Sequence, residues 1–391
     1  MTSKSVAMET AMTASRREFL RFGAGIASIA VPWSSDVFTF EQDSAPPVHG
    51  QGQPILLYSN ENPYGPSSKV MDVIRSAASG SNRYPRLRYR DLTERLATFH
   101  KVAADRVLLG CGSTEILRMA ACAFLGKGQQ LIHASPTFEA IARYARAVES
   151  EVLAVSLTAS FAHDVERMLA AVTPSTKLVY ICNPNNPTAS LTPRKDLEAL
   201  VTKLPPSTMV LVDEAYHHYA GTSATYASFI DHPLQDDRVI VARTFSKVYG
   251  LAGLRLGYAV GAPKTLEQMK RFGTADNINA IATQAAFAAL DDAAGVTAAV
   301  ERNGNDRQEF FNQAMARSLK PIDSHTNFVM MDTFNPADEI VEQFRKHNIL
   351  IGRHFPPMDT YIRVSLGLPE EMQAFWKTWD LLPYPKNTMH H

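Results

Sequence analysis

The sequence predicts an α/β protein built on a mainly parallel sheet, and three observations lead there. From about residue 106 onward, short apolar runs rich in β-branched residues alternate with stretches of helical spacing. Each apolar run stops at a cluster of polar and small residues, as strands do at the carboxyl edge of a parallel sheet, where ligands bind. With 391 residues, 45% of them hydrophobic, the chain can bury one large core or two moderate ones.

Taken in order, residues 106–109 read as a strand ending in Gly110-Cys111-Gly112, and 113–124 have helical spacing. Residues 130–133 form a second strand and 138–147 a helix. Three apolar runs at 178–182, 209–212 and 239–242 read as buried strands. The polar clusters that follow are Gly112-Ser113-Thr114, residues 183–188, 213–216 and 244–247. Beyond residue 267 the pattern is more helical, with strands expected at 327–331 and 361–365. One long helix over 283–311 is expected to join a large domain (76–290) to a smaller α+β domain (291–391), which residues 55–75 precede as an arm.

Lys+Arg and Asp+Glu both total 39, so the net charge is zero. That balance speaks against nucleic acid or an anionic membrane as partner. Cys111, Cys122 and Cys182 are odd in number and lack metal-ligand spacing, so they read as buried free thiols, and no metal is expected. At the N-terminus, Ser15-Arg16-Arg17-Glu18-Phe19-Leu20 resembles a twin-arginine export signal. An apolar stretch over 22–31, too short to span a membrane, and the small-x-small site Ser28-Ile29-Ala30 complete the pattern. Residues 1–30 are therefore expected to be a cleaved leader, 31–54 a linker, and the protein to be exported already folded to the periplasm by the twin-arginine machinery.

The most informative run is Thr244-Phe-Ser-Lys247-Val-Tyr-Gly-Leu-Ala-Gly-Leu-Arg255. A lysine after a buried strand, flanked by the hydroxyls of Thr244 and Ser246, suits a phosphorylated aldehyde cofactor held as a Schiff base. Arg255 supplies a forked cation for the phosphate. A lone lysine on a glycine-rich loop would carry no such meaning; the whole run does. At this point the chain resembles the class I/II aminotransferases of fold type I, and among them histidinol-phosphate aminotransferase, over about 58–367. The resemblance implies pyridoxal 5′-phosphate as cofactor and a symmetric homodimer with shared active sites.

Its other motifs assign further roles. Asn183-Pro184-Asn185-Asn186-Pro187-Thr188 is similar to the family loop whose asparagine, here Asn186, bonds the ring O3′; Ala189 stands where the family has glycine. A cis Asn186–Pro187 bond is expected in that turn. In Asp213-Glu214-Ala215-Tyr216, Asp213 matches the carboxylate on the ring N1–H and Tyr216 a second O3′ ligand. Gly112, Ser113 and Thr114 open a helix that would hold the phosphate, and Phe138 matches the aromatic that stacks on the ring. Read alone, Ser113 could be a helix cap, Asp213 a cap and Phe138 a core residue.

Arg363 matches the arginine for the substrate's anionic group, and Tyr64, in Asn60-Glu61-Asn62-Pro63-Tyr64-Gly65, the arm residue near the substrate. Tyr84, in Arg83-Tyr84-Pro85, matches the tyrosine that reaches the neighbouring subunit's cofactor phosphate. Arg353 stands close to the family's substrate-phosphate arginine, with Gly352 shifting the register. His217 and His218 replace residues that are not usually both histidine; as neighbours they point in different directions and make a poor metal pair.

The expected reaction moves an amino group between an amino acid and a 2-oxo acid. Decarboxylation, β-elimination and oxidation on the same fold remain open at this stage, since fold does not fix the bond broken. A non-catalytic cofactor-binding module is disfavoured because Lys247 is intact. An amino acid donor is favoured over histidinol phosphate, whose pathway is cytoplasmic while this chain carries an export signal.

Overall fold

The computed structural model describes residues 53–221 and 223–383. The leader and nearly all of the linker expected from the sequence lie outside those residues. Twelve strands occur among them: β1 (Ile55–Leu57), β2 (Val107–Gly110), β3 (Gln130–Ser135), β4 (Glu151–Ser156), β5 (Thr176–Cys182), β6 (Met209–Asp213), β7 (Val239–Thr244), β8 (Gly257–Val260), β9 (Lys320–Pro321), β10 (Phe328–Asp332), β11 (Ile349–Ile351) and β12 (Tyr361–Ser365). Seven form the main sheet in the order β2-β8-β7-β6-β5-β3-β4. All its neighbours are parallel except β8, which runs against both β7 and β2. The α/β class with a mainly parallel sheet is therefore what the chain adopts.

Strand periodicity sends alternate side chains to opposite faces, and here both faces are buried. Val179, Ile181, Val210, Val212, Val239 and Val241 pack on one side, with helices Arg86–His100, Arg194–Lys203 and Ala280–Leu290. Leu178, Tyr180, Leu211, Ile240 and Ala242 pack on the other, with helices Ser113–Phe124, Ala140–Ala147 and Pro263–Lys270. A third cluster joins Leu57 to Phe310, Val329, Phe344, Ile362, Phe375 and Trp376. Around it lie the antiparallel sheet β12-β10-β9 and the parallel pair β1-β11.

The single helix expected over 283–311 is two helices, Ala280–Leu290 and Ala293–Met315. They break at Asp291-Asp292, where the Asp292 carboxylate caps the second helix by accepting from the Gly295 N–H at 3.2 Å. The first helix packs in the sheet's core, whereas Phe310 and Ala314 of the second pack in the third cluster. The chain thus turns where it passes between cores. The three cysteines are free; Cys182 is buried, but Cys111 and Cys122 are only half-buried, because the helix carrying Cys122 is not covered all round. No helix among the described residues is long and apolar enough to cross a membrane.

Candidate active site

The ends of β5, β6 and β7 and the start of helix Ser113–Phe124 converge on a cavity of about 450 Å³. Its walls include Ser113, Thr114, Phe138, Asn186, Asp213, Tyr216, Thr244, Ser246, Lys247, Arg255 and Arg363, so residues read from separate motifs share one space. Tyr58, Ser59 and Asn60 of the segment after β1 also line it.

Asp213 closes β6 and is 3% exposed. The Tyr180 phenol donates to its Oδ2 at 3.0 Å and the Ala215 N–H to its Oδ1 at 3.1 Å. Burial pushes its pKa up to about 6; those two hydrogen bonds and the Lys247 charge pull the other way. The bond to Ala215 has the form of a local cap, yet the carboxylate still faces the cavity. A buried carboxylate held by neutral donors is suited to a cationic partner from a ligand.

Across the cavity Arg363 projects from β12, 8% exposed. It donates through Nη1 to Asn186 Oδ1 at 2.6 Å and through Nη2 to the Tyr58 carbonyl. Its Nε is buried without a partner. Burial lowers its pKa to about 10, helped by the nearby Arg353 charge and opposed by Tyr216. Arg363 thus takes Asn186 Oδ1, and Asn186 itself lines the cavity. The Asn186–Pro187 bond is cis, as expected. Ala189 takes φ 61°, fully buried, in the left-handed region that an L side chain adopts at a cost of roughly 1–2 kcal/mol. Its N–H donates to Asn185 O and its carbonyl accepts from His325 N–H, both at 2.9 Å, which holds the loop in that form.

At the opposite end Gly112 is the N-cap of helix Ser113–Phe124, and no side chain caps it. Ser113 is thus the first helical residue and not the cap. Gly112 has φ 73°, and a Cβ there would stand 2.5 Å from Arg255 Nη2; one on Gly257 would stand 2.3 Å from Ser113 N. Both glycines therefore let backbone and guanidinium gather at a helix end suited to an anion. Thr244 Oγ1 and Ser246 Oγ lie 2.8 Å apart beside it.

The Lys247 amine donates to the Asn60 carbonyl at 2.9 Å and, more weakly, to Ser59 at 3.3 Å. Burial lowers its pKa to about 8, with Arg363 and Arg255 adding to that and Glu61 and Asp213 opposing it. Tyr216 is 4% exposed, and its hydroxyl accepts from Asn60 Nδ2 at 3.0 Å. Burial raises its pKa far above the ordinary phenol value.

Tyr64 and Arg353 lie away from the cavity, and Tyr84, expected at a neighbouring subunit's cofactor, lies on the surface. Tyr64 does not line the cavity: its hydroxyl donates to Asp306 Oδ2 at 3.0 Å and Arg302 stands 4.3 Å over its ring, which turns it toward helix Ala293–Met315. Tyr84 is 73% exposed on the surface. Arg353 is half exposed; it pairs with Glu139 Oε1 at 2.6 Å and stacks 4.3 Å over Phe355, whose ring also meets Arg363 at 4.6 Å. Sequence reasoning missed Tyr58 and Asn60 as cavity residues, although Asn60 opens the quoted arm motif. It also missed the support beneath Asp213. Glu214 is buried against Arg243 at 2.9 Å, and its carboxylate also accepts from Ser228 Oγ and Phe229 N–H. His217 and His218 contact Tyr226 and Tyr249 at 3.2 and 3.3 Å. Burial, with Arg243 nearby, lowers both their pKa values, His218 to about 3. No group of three or more potential ligands among the described residues could hold a metal ion.

These features fit pyridoxal phosphate: Asp213 suits its ring N1–H, Asn186 and Tyr216 suit O3′, and Phe138 the ring face. The Gly112–Thr114 end with Arg255 suits the phosphate, and the unpaired Arg363 Nε a substrate anion.

Comparison with known proteins agrees. Residues 53–376 match the family described as aminotransferase class I and II. Histidinol-phosphate aminotransferase of Moorella thermoacetica is 34% identical over 324 residues, covering 82% of this chain and 83% of its own. That of Symbiobacterium thermophilum is 36% identical over 328 residues, covering 82% and 88%. Among solved structures, histidinol-phosphate aminotransferase of Sinorhizobium meliloti in complex with pyridoxal-5′-phosphate superposes with a TM-score of 0.78 at 28% identity, covering 83% and 90%. Fold, cavity and relatives lead to one conclusion: the chain is a member of the class I and II aminotransferases, pyridoxal-phosphate enzymes that move amino groups between amino acids and oxo acids.

Proposed function

We propose that this aminotransferase takes an α-amino acid as donor, works as a homodimer with shared active sites, and is exported by the twin-arginine route to the periplasm. The observation that carries the substrate reading is Arg363. Its guanidinium is buried, fixed at two corners by Asn186 and Tyr58, and left with Nε unpartnered beside Lys247's cavity. A carboxylate is the group that satisfies such a fork. The bound cofactor supplies an aldehyde for amine exchange and a ring that accepts the electrons of the broken Cα–H bond. Asp213 would hold the proton on ring N1, Asn186 and Tyr216 would orient the ring through O3′, and Arg363 would orient the substrate through its carboxylate. Lys247 Nζ then takes the Cα proton as general base. Screening amino acids for conversion of the bound cofactor to its pyridoxamine form tests this. Conversion by ordinary amino acids is expected. Turnover of histidinol phosphate and failure of every amino acid except glutamate would overturn the reading.

Histidinol phosphate is the second reading. It draws support from the names of the relatives and from Arg353, 2.6 Å from Glu139 and beside Arg363 on the ring of Phe355. Against it stand the export signal and the Glu139 carboxylate, which already engages Arg353.

The dimer reading rests on the sequence match at Tyr84 and on its exposure, with Leu87 75% exposed three residues on, in the first turn of helix Arg86–His100. Mixed dimers of a Tyr84→Ala chain and a Lys247→Ala chain should recover part of the activity that each lacks alone, because one of the two sites regains both side chains. Verified subunit exchange without recovery would refute shared sites. The export reading rests on residues 15–31, outside the described part. Fractionation of the host should find the protein in the periplasm, processed near Ala30, and an Arg16→Lys/Arg17→Lys variant in the cytoplasm. Both forms staying inside with an intact N-terminus would end that reading.

A further inference from the structure

We infer that Asn60 is a positioning residue with two separable tasks. Its carbonyl, with that of Ser59, holds the Lys247 amine whenever that amine is not bonded to cofactor, and its side-chain amide sets the donor strength of Tyr216. The inference rests on Lys247 being the cofactor-bearing lysine, as proposed from the sequence.

Asn60 is 2% exposed, with φ 54° in the left-handed region that asparagine tolerates better than other non-glycine residues. Every polar group of the residue is engaged. Its N–H donates to Ser365 Oγ at 2.8 Å, and Ser365 Oγ returns a bond to Asn60 Oδ1 at 3.2 Å. Its Nδ2 donates to the Tyr216 hydroxyl at 3.0 Å. Its carbonyl accepts from Lys247 Nζ and from Asn327 Nδ2, each at 2.9 Å. Asn327 Nδ2 also reaches the Glu61 carbonyl at 3.0 Å, so the turn is clamped from the strand side as well. One residue of the N-terminal segment thus links β12, Tyr216 and Lys247, which stand 305, 156 and 187 positions away.

The two tasks have distinct physical consequences. Lysine must leave the cofactor when a substrate amine takes its place, and a long, free ammonium would otherwise sample many rotamers. Two carbonyl acceptors give it a fixed position and favour its protonated form, against burial and the charges of Arg363 and Arg255; Glu61 and Asp213 act on the same side as the carbonyls. Separately, a hydrogen bond received by the Tyr216 oxygen polarises its O–H and strengthens the bond that O–H donates. With Tyr216 on the ring O3′, the Asn60 amide therefore withdraws electron density from that oxygen through the phenol, and lowers the pH at which the bound cofactor loses its proton.

Asn60→Gly keeps the left-handed turn and the carbonyl but removes the amide. Asn60→Ala strains the turn and so disturbs both. Ser365→Ala releases the turn without altering Asn60 itself, and serves should Asn60→Ala not fold. Two titrations read the tasks apart. The pH dependence of the rate at which apoprotein captures pyridoxal phosphate reports the lysine amine, and the pH midpoint of the bound cofactor's absorbance band reports the ring and its O3′ donors. Asn60→Gly is expected to raise the band midpoint by about half a unit while the capture midpoint stays at its parental value. Asn60→Ala and Ser365→Ala are expected to lower the capture midpoint by a comparable amount, since the ammonium loses its acceptors. A purely structural role would lower the unfolding midpoint and move neither titration, and that result overturns the inference. An unmoved band in Asn60→Gly removes the Tyr216 task; an unmoved capture midpoint in the other two removes the holding task. Borohydride reduction and peptide mapping of the parent identify the cofactor lysine independently, so an error in the Lys247 assignment is distinguished from an error about Asn60.

Discussion

Lys247→Ala is expected to lose the covalent cofactor linkage and to lower turnover by on the order of 10⁴-fold or more, the upper range for removal of a general base. Both effects follow from one atom. Nζ is the lysine amine that lines the cavity and can bond the aldehyde, and after exchange the freed amine would serve as the base for the substrate Cα proton. Its pKa, lowered to about 8 chiefly by burial, also sets a pH dependence with a definite sign. Only the unprotonated amine attacks an aldehyde, so capture of cofactor by the apoprotein should quicken as pH rises and level off above about 8. An unburied lysine would level off more than two units higher. Reduction with borohydride followed by peptide mapping is the direct check. A Lys247→Ala protein that still yields a reduced lysine adduct would sink the assignment.

How much of this was legible in the sequence depends on how local each signal is. Strands β5, β6 and β7 are buried on both faces, so their apolar runs stand out. Each delivers its site residue within a few positions of its end: Asn186, Asp213 and Lys247. Strand β4 was missed because it is an edge strand whose exposed Glu151, Ala154 and Ser156 interrupt the apolar run. Strand β8 hid in the glycine-rich stretch after Arg255. Strand β1 opens the arm expected over 55–75 but is not legible there as a strand: it pairs only with β11, nearly 300 positions away, and no local pattern announces such a partner. The break at Asp291-Asp292 was overridden by the helical spacing on both sides, although two acidic residues in an alanine-rich stretch are a cap signal. Among the site residues, Asn60 and Tyr58 had only a motif quotation or nothing to mark them, since their roles arise from hydrogen bonds to residues more than 150 positions away. Tyr64 is a further case: a motif match placed it near the substrate, but its side chain turns to Asp306 and Arg302, partners as distant in sequence as those of Asn60.

Asp213→Asn is expected to have opposite effects with and without cofactor. In the apoprotein, burial raises the carboxylate from 3.8 to about 6, so the folded chain binds that proton more tightly than the unfolded chain does. A group with a raised folded pKa contributes fully below its unfolded value, and the contribution is lost as pH rises through the folded one. Above about pH 6 the ionised side chain therefore costs stability, by about 2–3 kcal/mol at roughly 1.4 kcal/mol per unit. Removing the charge should stabilise apoprotein by that order at neutral pH and by almost nothing near pH 4. Urea unfolding at the two pH values measures the difference, and equal effects at both would show that ionisation is not the cause. With cofactor bound the sign is expected to reverse, because in the proposed reading the carboxylate is the partner that would keep ring N1 protonated and the ring ready to accept electrons. Turnover should then fall on the order of 10³-fold or more, equivalent to about 4 kcal/mol of transition-state stabilisation. Near-parental turnover in Asp213→Asn would mean that N1 is protonated through some other group, and that this buried carboxylate is retained for a reason outside the chemistry.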